Sequence, residues 1–483
     1  MLDLPGQKLN GVPLKECVFL SAGQMAECVR RREISPVELL DAHLARIERV
    51  NPQLNAFVAV DADRARQQAR AAEAALMREA DVGPLHGVPI TIKSSIEVAG
   101  LPCEAGTKLR AGFVAEKDAP LVGQLRAAGS VILGTTNVPE MLMAYETDNL
   151  LHGRTNNPWD PGRTPGGWSG GEAAAIAAGC SAAGVGSDGG GSIRVPAHFS
   201  GICGLKPTPG RIPAMGHFPA CLGPFALLGV VGPMARTVRD LALLLRVMAG
   251  PESAEVNAAP VAYRHPDPGR TRQLRIGYFE DDDIAGTTSE TRAAVRAAVC
   301  ALEKEGFVVE PFRPQGLERM SELWWVFFGQ TAGVVLEPML AGHELELSPI
   351  LKDFMESVRA DPPLTRDLLL NAWMQRDQCR AHLLQQMERF PILLCPVSSG
   401  PAFRHGAGTW KLNGRGSAYR DVMRYSQWFN LTGNPAAVVP VGKSPEGLPI
   451  GVQVVGRPWE EETVLAVAAE IESACGGWQR PSI

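Results

Sequence analysis

Apolar residues recur at helical spacing in some stretches and in short continuous runs in others, and the two patterns alternate along the chain. The clearest helical stretch is SPVELLDAHLARIERVNP, where Leu39, Leu40, His43, Leu44 and Ile47 share one face. Ser35 is placed to cap it, Pro36 takes the first helical position and Glu38 closes a capping box. Pro52 predicts that this helix stops just before it. NAFVAV then reads as a strand, DADRARQQARAAEAALMREA as an alanine-rich amphipathic helix, and GVPITIKSSI as a short buried strand with Lys93 near its end. DAPLVGQLRAAG and SVILGTTN give a further helix and strand.

A glycine-rich region, Gly166 to Gly191, is interrupted by a predicted helix, GEAAAIAAG, and a strand-like AAGVGS. TVRDLALLLRVMAG is helical. LRIGYFED, SETRAAVRAAVCALEKEG and FVVEPF form a β-α-β run. Residues 315–390 read as mainly helical. ILLCPVS, AAVVPVG and IGVQVVG are late strands, and EETVLAVAAEIESACG is the closing helix. Strands alternating with helices over the whole length predict an α/β architecture on one large mixed sheet. No internal repeat stands out. The Pro/Gly-rich HPDPGR at 265–270 is the best candidate for a surface linker, without a domain break behind it.

Composition narrows the function classes. At 483 residues, 45% hydrophobic and 20% charged, the chain can bury a sizeable core and is not expected to be disordered. A net charge of −5 argues against a nucleic-acid partner. The nine histidines and ten cysteines are scattered, with no CxxC and no HExxH, so no metal site and no cofactor are expected. The N-terminal residues lack a signal-peptide pattern, and the most apolar runs, FALLGVVGPMA and PILLCPVSSG, are too short to span a bilayer. The expectation is a cytoplasmic protein acting on a small molecule, as monomer or homodimer.

Two familiar motifs fail on context. GVGSDG, Gly184 to Gly189, fits GxGxxG, but its glycines run into more glycines and no acidic residue follows about 20 positions on. GWSGG, Gly167 to Gly171, fits GxSxG around Ser169, but NNPWDPGRTPGG before it is no central strand, as a nucleophile elbow requires. Three other pieces fit together better. Lys93 ends a buried apolar strand, GGWSGGE carries Trp168 and Ser169, and GSDGGGSIRVPA holds three glycines before Ser192, which suggests a nest of backbone N–H groups.

The chain resembles the amidase signature family of serine hydrolases. The segments GVPITIK, GTTNVPE, ETDN, GRTNNPWDP, GGEAAAIAAG, GSDGGGSIRVPA, GICGLKPT, GPMARTVRDLALLL, FNLTGNPAAVVPVG and GLPIGVQVVGRP lie in family order over most of its length. The resemblance implies one domain over residues 1–483, a central mixed sheet covered by helices on both faces, and a substrate-pocket region around 315–390. It implies a Ser-cisSer-Lys triad with Ser192 as nucleophile and Lys93 as general base. The N–H groups of Gly189, Gly190, Gly191 and Ser192 would form the oxyanion hole, braced by Asp188 and Arg194. A lysine serves as base only when neutral, so burial must lower its pKa from about 10.4 toward roughly 7–8.

The chain departs from this pattern at one position. Where the family carries the relaying serine on a cis peptide, this sequence has Trp168, 24 positions before Ser192; Ser169 matches the supporting second serine. An indole N–H donates only and cannot relay a proton. Three readings follow: a near-inactive form, engineered or natural, of an intact hydrolase; a relay taken over by Ser169 or water; or a tryptophan recruited to stack on substrate. The resemblance implies cleavage of aryl or aliphatic amides, with carbamates (urethanes) and esters sharing the same oxyanion requirement. A ligand-binding derivative that turns nothing over, and a glutaminase subunit of an amidotransferase, are the alternatives. The aromatic segments 141–149, 215–229 and 322–330 suggest an apolar pocket, or plain core packing.

Overall fold

The computed structural model describes residues 8–9, 12–251, 257–407, 409–412 and 415–483. Its centre is an eleven-stranded sheet. In chain order the strands are β1 (Phe57–Val60), β2 (Pro89–Lys93), β3 (Val131–Thr136), β4 (Ala183–Asp188), β5 (Cys203–Lys206), β6 (Val230–Ala235), β7 (Arg275–Tyr278), β8 (Val308–Pro311), β9 (Ile392–Pro396), β10 (Ala436–Lys443) and β11 (Pro449–Val455). Across the sheet they run β8-β7-β9-β11-β10-β5-β6-β4-β2-β3-β1. Pairs β8/β7, β9/β7, β2/β3 and β2/β4 are parallel and the others antiparallel, so the sheet is mixed as the alternation predicts. Helices flank it in a single-domain α/β fold. Among the described residues no helix is long and apolar enough to cross a membrane.

The first long helix, Pro36–Leu54, begins as its sequence dictates: Val37 N–H donates to Ser35 Oγ at 3.0 Å and Ser35 N–H to Glu38 at 3.0 Å. It runs past Pro52 rather than stopping before it, and closes on Asn55 in the left-handed region at φ 50°. The linker expected at 265–270 is instead the start of a short helix, Pro268–Arg272, capped by Asp267. Region 315–390 is helical, including a π-helical turn at Val326–Gln330.

Two strands of the central sheet escaped the sequence pattern, β5 and β6. Both are central, yet β5 carries a glycine and β6 carries Gly232 and Pro233. Proline is rare in central strands because it donates nothing to the ladder. Here Pro233 pairs opposite Val185 of β4.

These central strands carry the site. β2 and β4 lie side by side and parallel, so Lys93 and Ser187–Asp188 emerge at the same sheet edge. The helix Gly170–Ala177, buried along its whole length, packs over them. Its Gly171 passes so close to Asn137 that a Cβ would lie 2.5 Å from that residue's carbonyl oxygen and 2.7 Å from that of Ala56. Backbone on both sides cannot give way. Gly171→Ala is therefore expected to lower stability by about 1–3 kcal/mol despite alanine's higher helix propensity, read as a fall in the urea midpoint.

Candidate active site

Lys93, Ser187 and Asp188 come together by strand pairing, and the turn after β4 brings Gly189 to Ser192 over the same end. Lys93 and Ser192 are both fully buried. Burial pushes the Lys93 amine down to about 7, against the opposing pull of Asp188, Cys221 and Glu172. The Glu172 carboxyl accepts from Thr91 of β2 and from Thr136 of β3, the latter at 2.7 Å, and so ties the two strands beneath the amine. Burial pushes this carboxyl up to about 7.

The nest is organised by Asp188. Its carboxylate accepts from the N–H groups of Gly191 (2.7 Å) and Ile193 (3.1 Å), and from Asn430 (2.9 Å). Arg194 donates to it through Nε at 3.0 Å and Nη2 at 3.1 Å, both partners fully buried. Gly191 therefore has its N–H committed to Asp188, unlike the expectation that all four groups face the oxyanion. The carbonyls of the turn point away and are held: Trp324 Nε1 donates to Gly189 O at 2.8 Å, while Tyr145 Oη and Ser426 Oγ both donate to Gly190 O at 3.0 Å. Turning a carbonyl out leaves its peptide N–H facing the other way.

Ser169 is engaged with the backbone of Ser187. Its hydroxyl donates to Ser187 O and accepts from Ser187 N, both at 3.3 Å, and its own N–H donates to Ser192 O at 3.2 Å. These bonds suit support rather than relay.

Residue 168 lies against Gly189 of the turn. The Gly167–Trp168 peptide is cis, and the indole is 5% exposed. Its ring stacks on Phe328 (centroids 4.8 Å apart, 21°), and Phe328 stacks on Trp324 (4.7 Å, 8°), which in turn holds Gly189. A Cβ on Gly189 would lie 3.4 Å from the Trp168 ring and one on Gly190 2.4 Å from Trp324, so glycine at 190 is required by the wall above it. Among the described residues, neither Trp168 Nε1 nor Ser192 Oγ has a hydrogen-bond partner. Lys93 Nζ donates instead to Ser187 Oγ at 2.9 Å.

The sequence pattern did not single out Ser187, Tyr145 or His217. His217 Nε2 lies 2.9 Å from Ser187 Oγ and 3.2 Å from Ser95 Oγ. Each of these sits in a segment noted above, but nothing local links positions so far apart.

Known proteins fit this geometry. The sequence profile of the Amidase family matches residues 38–465. The chain belongs to the amidase family. It is 34% identical to an indoleacetamide hydrolase of Bradyrhizobium diazoefficiens, over 94% of this chain and 86% of that protein. It is 34% identical to an acylamidase of Rhodococcus erythropolis, covering 94% and 95%. The solved structure of a bacterial aryl acylamidase of the amidase signature family superposes with a TM-score of 0.84 at 27% identity, covering 94% of this chain and 96% of the other.

The Glu172 carboxyl offers a check on the electrostatics beneath the amine. Between its unfolded pKa of about 4.3 and its folded value near 7, the unfolded chain has lost this proton and the folded one keeps it. Stability therefore falls as pH rises through that window. Glu172→Gln removes the dependence, so the variant is expected to gain about 1–3 kcal/mol on the parent between pH 5 and pH 8 in urea titrations.

Proposed function

We propose that this amidase-family hydrolase, which acts on carbon–nitrogen bonds, cleaves aryl amides through an acyl-enzyme on Ser192, at a rate limited by Trp168. The observation that carries this reading is the fully buried amine of Lys93, pushed down to about 7, at the same sheet edge as a nest of main-chain donors around Ser192. An amine of that kind is half neutral at physiological pH and can take a hydroxyl proton. The N–H groups of Gly189, Gly190 and Ser192 are the donors left for the oxyanion, each worth about 3 kcal/mol in the transition state. Asp188 and Arg194 brace the turn that presents them.

In this mechanism Ser192 attacks the carbonyl, the amine leaves with a proton, and water resolves the ester. The weak link is the first proton transfer. Ser192 Oγ has no hydrogen-bond partner among the described residues, residue 168, where the family resemblance expects a relaying hydroxyl, offers only an indole N–H, and Ser169 is occupied with Ser187. A lost relay costs on the order of 10²–10⁴ in rate. The aromatic wall of Trp168, Phe328 and Trp324 favours a flat apolar acyl or aryl group over a polar one. This argues for aryl amides and aryl carbamates, and against the glutamine that a glutaminase of an amidotransferase would hydrolyse. The unpartnered serine also supports the second reading, a ligand-binding derivative that never acylates.

An aryl amide or nitrophenyl carbamate separates the two, with intact-protein mass spectrometry reporting the acyl-enzyme. Slow acylation that Ser192→Ala abolishes supports the hydrolase; binding without any adduct supports the derivative. Trp168→Ser is expected to raise kcat by about 10²–10⁴, and an unchanged rate would remove residue 168 from the proton path. Acylation should be slow below pH 7, where Lys93 holds its proton, and rise to a plateau above it.

A further inference from the structure

Four contacts bear on where the proton of His217 sits, the longest being Cys221 Sγ at 3.8 Å from Nδ1. Nδ1 lies 2.8 Å from the carbonyl oxygen of Pro219, which can only accept, so Nδ1 carries the hydrogen. Nε2 is then a bare lone pair facing two hydroxyls, Ser187 at 2.9 Å and Ser95 at 3.2 Å. Ser187 donates its proton there and uses its oxygen to accept from Lys93 Nζ at 2.9 Å. The result is a one-way chain from Lys93 N–H to Ser187 O–H to the His217 ring. Every group in it is buried, with His217 itself 9% exposed.

We propose that His217 is a positioning residue for Lys93, acting through Ser187 to keep the amine's lone pair free for the Ser192 proton. A neutral amine has two hydrogens and one lone pair. If the Ser187 hydroxyl were free to turn, it would donate to that lone pair and block it. Bound to Nε2, it cannot, and one amine hydrogen is fixed on Ser187 instead. In a chain with no hydroxyl at position 168, this is the amine's side-chain hydrogen-bond anchor among the described residues. The proposal rests on the reading of Lys93 as the base. The groups facing Lys93 are Asp188, Glu172 and Cys221, with His217 beyond Ser187. Burial, with the Lys93 charge adding to it, lowers the imidazole to about 4, which keeps it a neutral acceptor over the working range.

Two measurements on the full chain test this. With ¹⁵N-labelled histidine, and His217→Gln to assign the signal, NMR should show His217 neutral with its hydrogen on Nδ1 from about pH 6 to pH 9. A hydrogen on Nε2, or an imidazolium at pH 7, overturns the proposal. In burst acylation by a nitrophenyl ester, His217→Leu should lower the plateau rate about tenfold with little change in KM. It should also move the pH midpoint below that of the parent, because the freed Ser187 hydroxyl now favours the neutral amine. His217→Gln, whose side-chain oxygen accepts, should recover most of both. A His217→Leu protein with the parent's plateau and midpoint overturns the proposal, as does a lower plateau with an unmoved midpoint, which marks a structural role. A parent that never acylates at any pH refutes the hydrolase reading instead, and the tautomer alone then decides for or against the chain.

Discussion

The carboxylate of Asp188 is the point on which the site's geometry depends. It sits fully buried at the end of β4, where burial alone would push its pKa up. The Arg194 guanidinium overrides that and holds the carboxyl well below its usual range. Two backbone N–H groups of the following turn, Gly191 and Ile193, are pulled onto it. Arg194 is itself fixed by Gln453 at 3.0 Å and by the Ser426 carbonyl at 2.8 Å, on segments far along the chain. A buried charge pair of this kind is weak as a source of stability, yet removing one partner strands the other at a cost of about 3–5 kcal/mol. Its role here is geometric: it holds the glycine turn in the shape whose Gly189 and Gly190 carbonyls are taken up by Trp324, Tyr145 and Ser426.

The aromatic wall continues that constraint outward. Trp324 holds Gly189 by its N–H and lies so near Gly190 that no side chain fits there. Phe328 transmits the stack to Trp168, and Phe225 meets Phe328 edge-on at 6.4 Å. Trp324, which holds the glycine turn, therefore also belongs to the apolar stack that covers it. A change at position 168 alters this aromatic stack, and on the proposed mechanism the proton path with it; overpacking so tight a region costs typically about 1–3 kcal/mol unless neighbours make room. Gly189 is such a neighbour, since a side chain there would press on the indole.

Much of this was legible in the chain. Ser35, Pro36 and Glu38 announce their helix because capping is local chemistry. Lys93 at the end of PITIK, and Ser192 after three glycines, stand out because both the apolar strand and the donor nest leave a mark on consecutive residues. What stayed hidden depends on residues distant in sequence. β5 and β6 are strands because the sheet on either side supplies their partners, which overrides Gly232 and Pro233. Ser95, Ser187 and His217 carry no common spacing. They meet only because β2 and β4 are neighbours and the loop after β5 folds back across their ends.

These parts differ in how they respond to change. The glycine turn is main chain, bent by a buried ion pair and held by hydrogen bonds from three separate segments, at Tyr145, Trp324 and Ser426, so no single exposed substitution undoes it. The lowered pKa of Lys93 comes chiefly from desolvation, a property of the whole surrounding core rather than of one neighbour. In the proposed mechanism the proton transfer depends instead on individual side chains at individual positions, Lys93, Ser192 and residue 168. On that reading a tryptophan at position 168 removes one side-chain component of the proton path, while the buried lysine and the glycine turn that took the whole fold to build remain in place. On the same reading, that asymmetry would let the site keep a lysine of lowered pKa and a well-held glycine turn and yet turn over slowly, and a single restored hydroxyl would reconnect them.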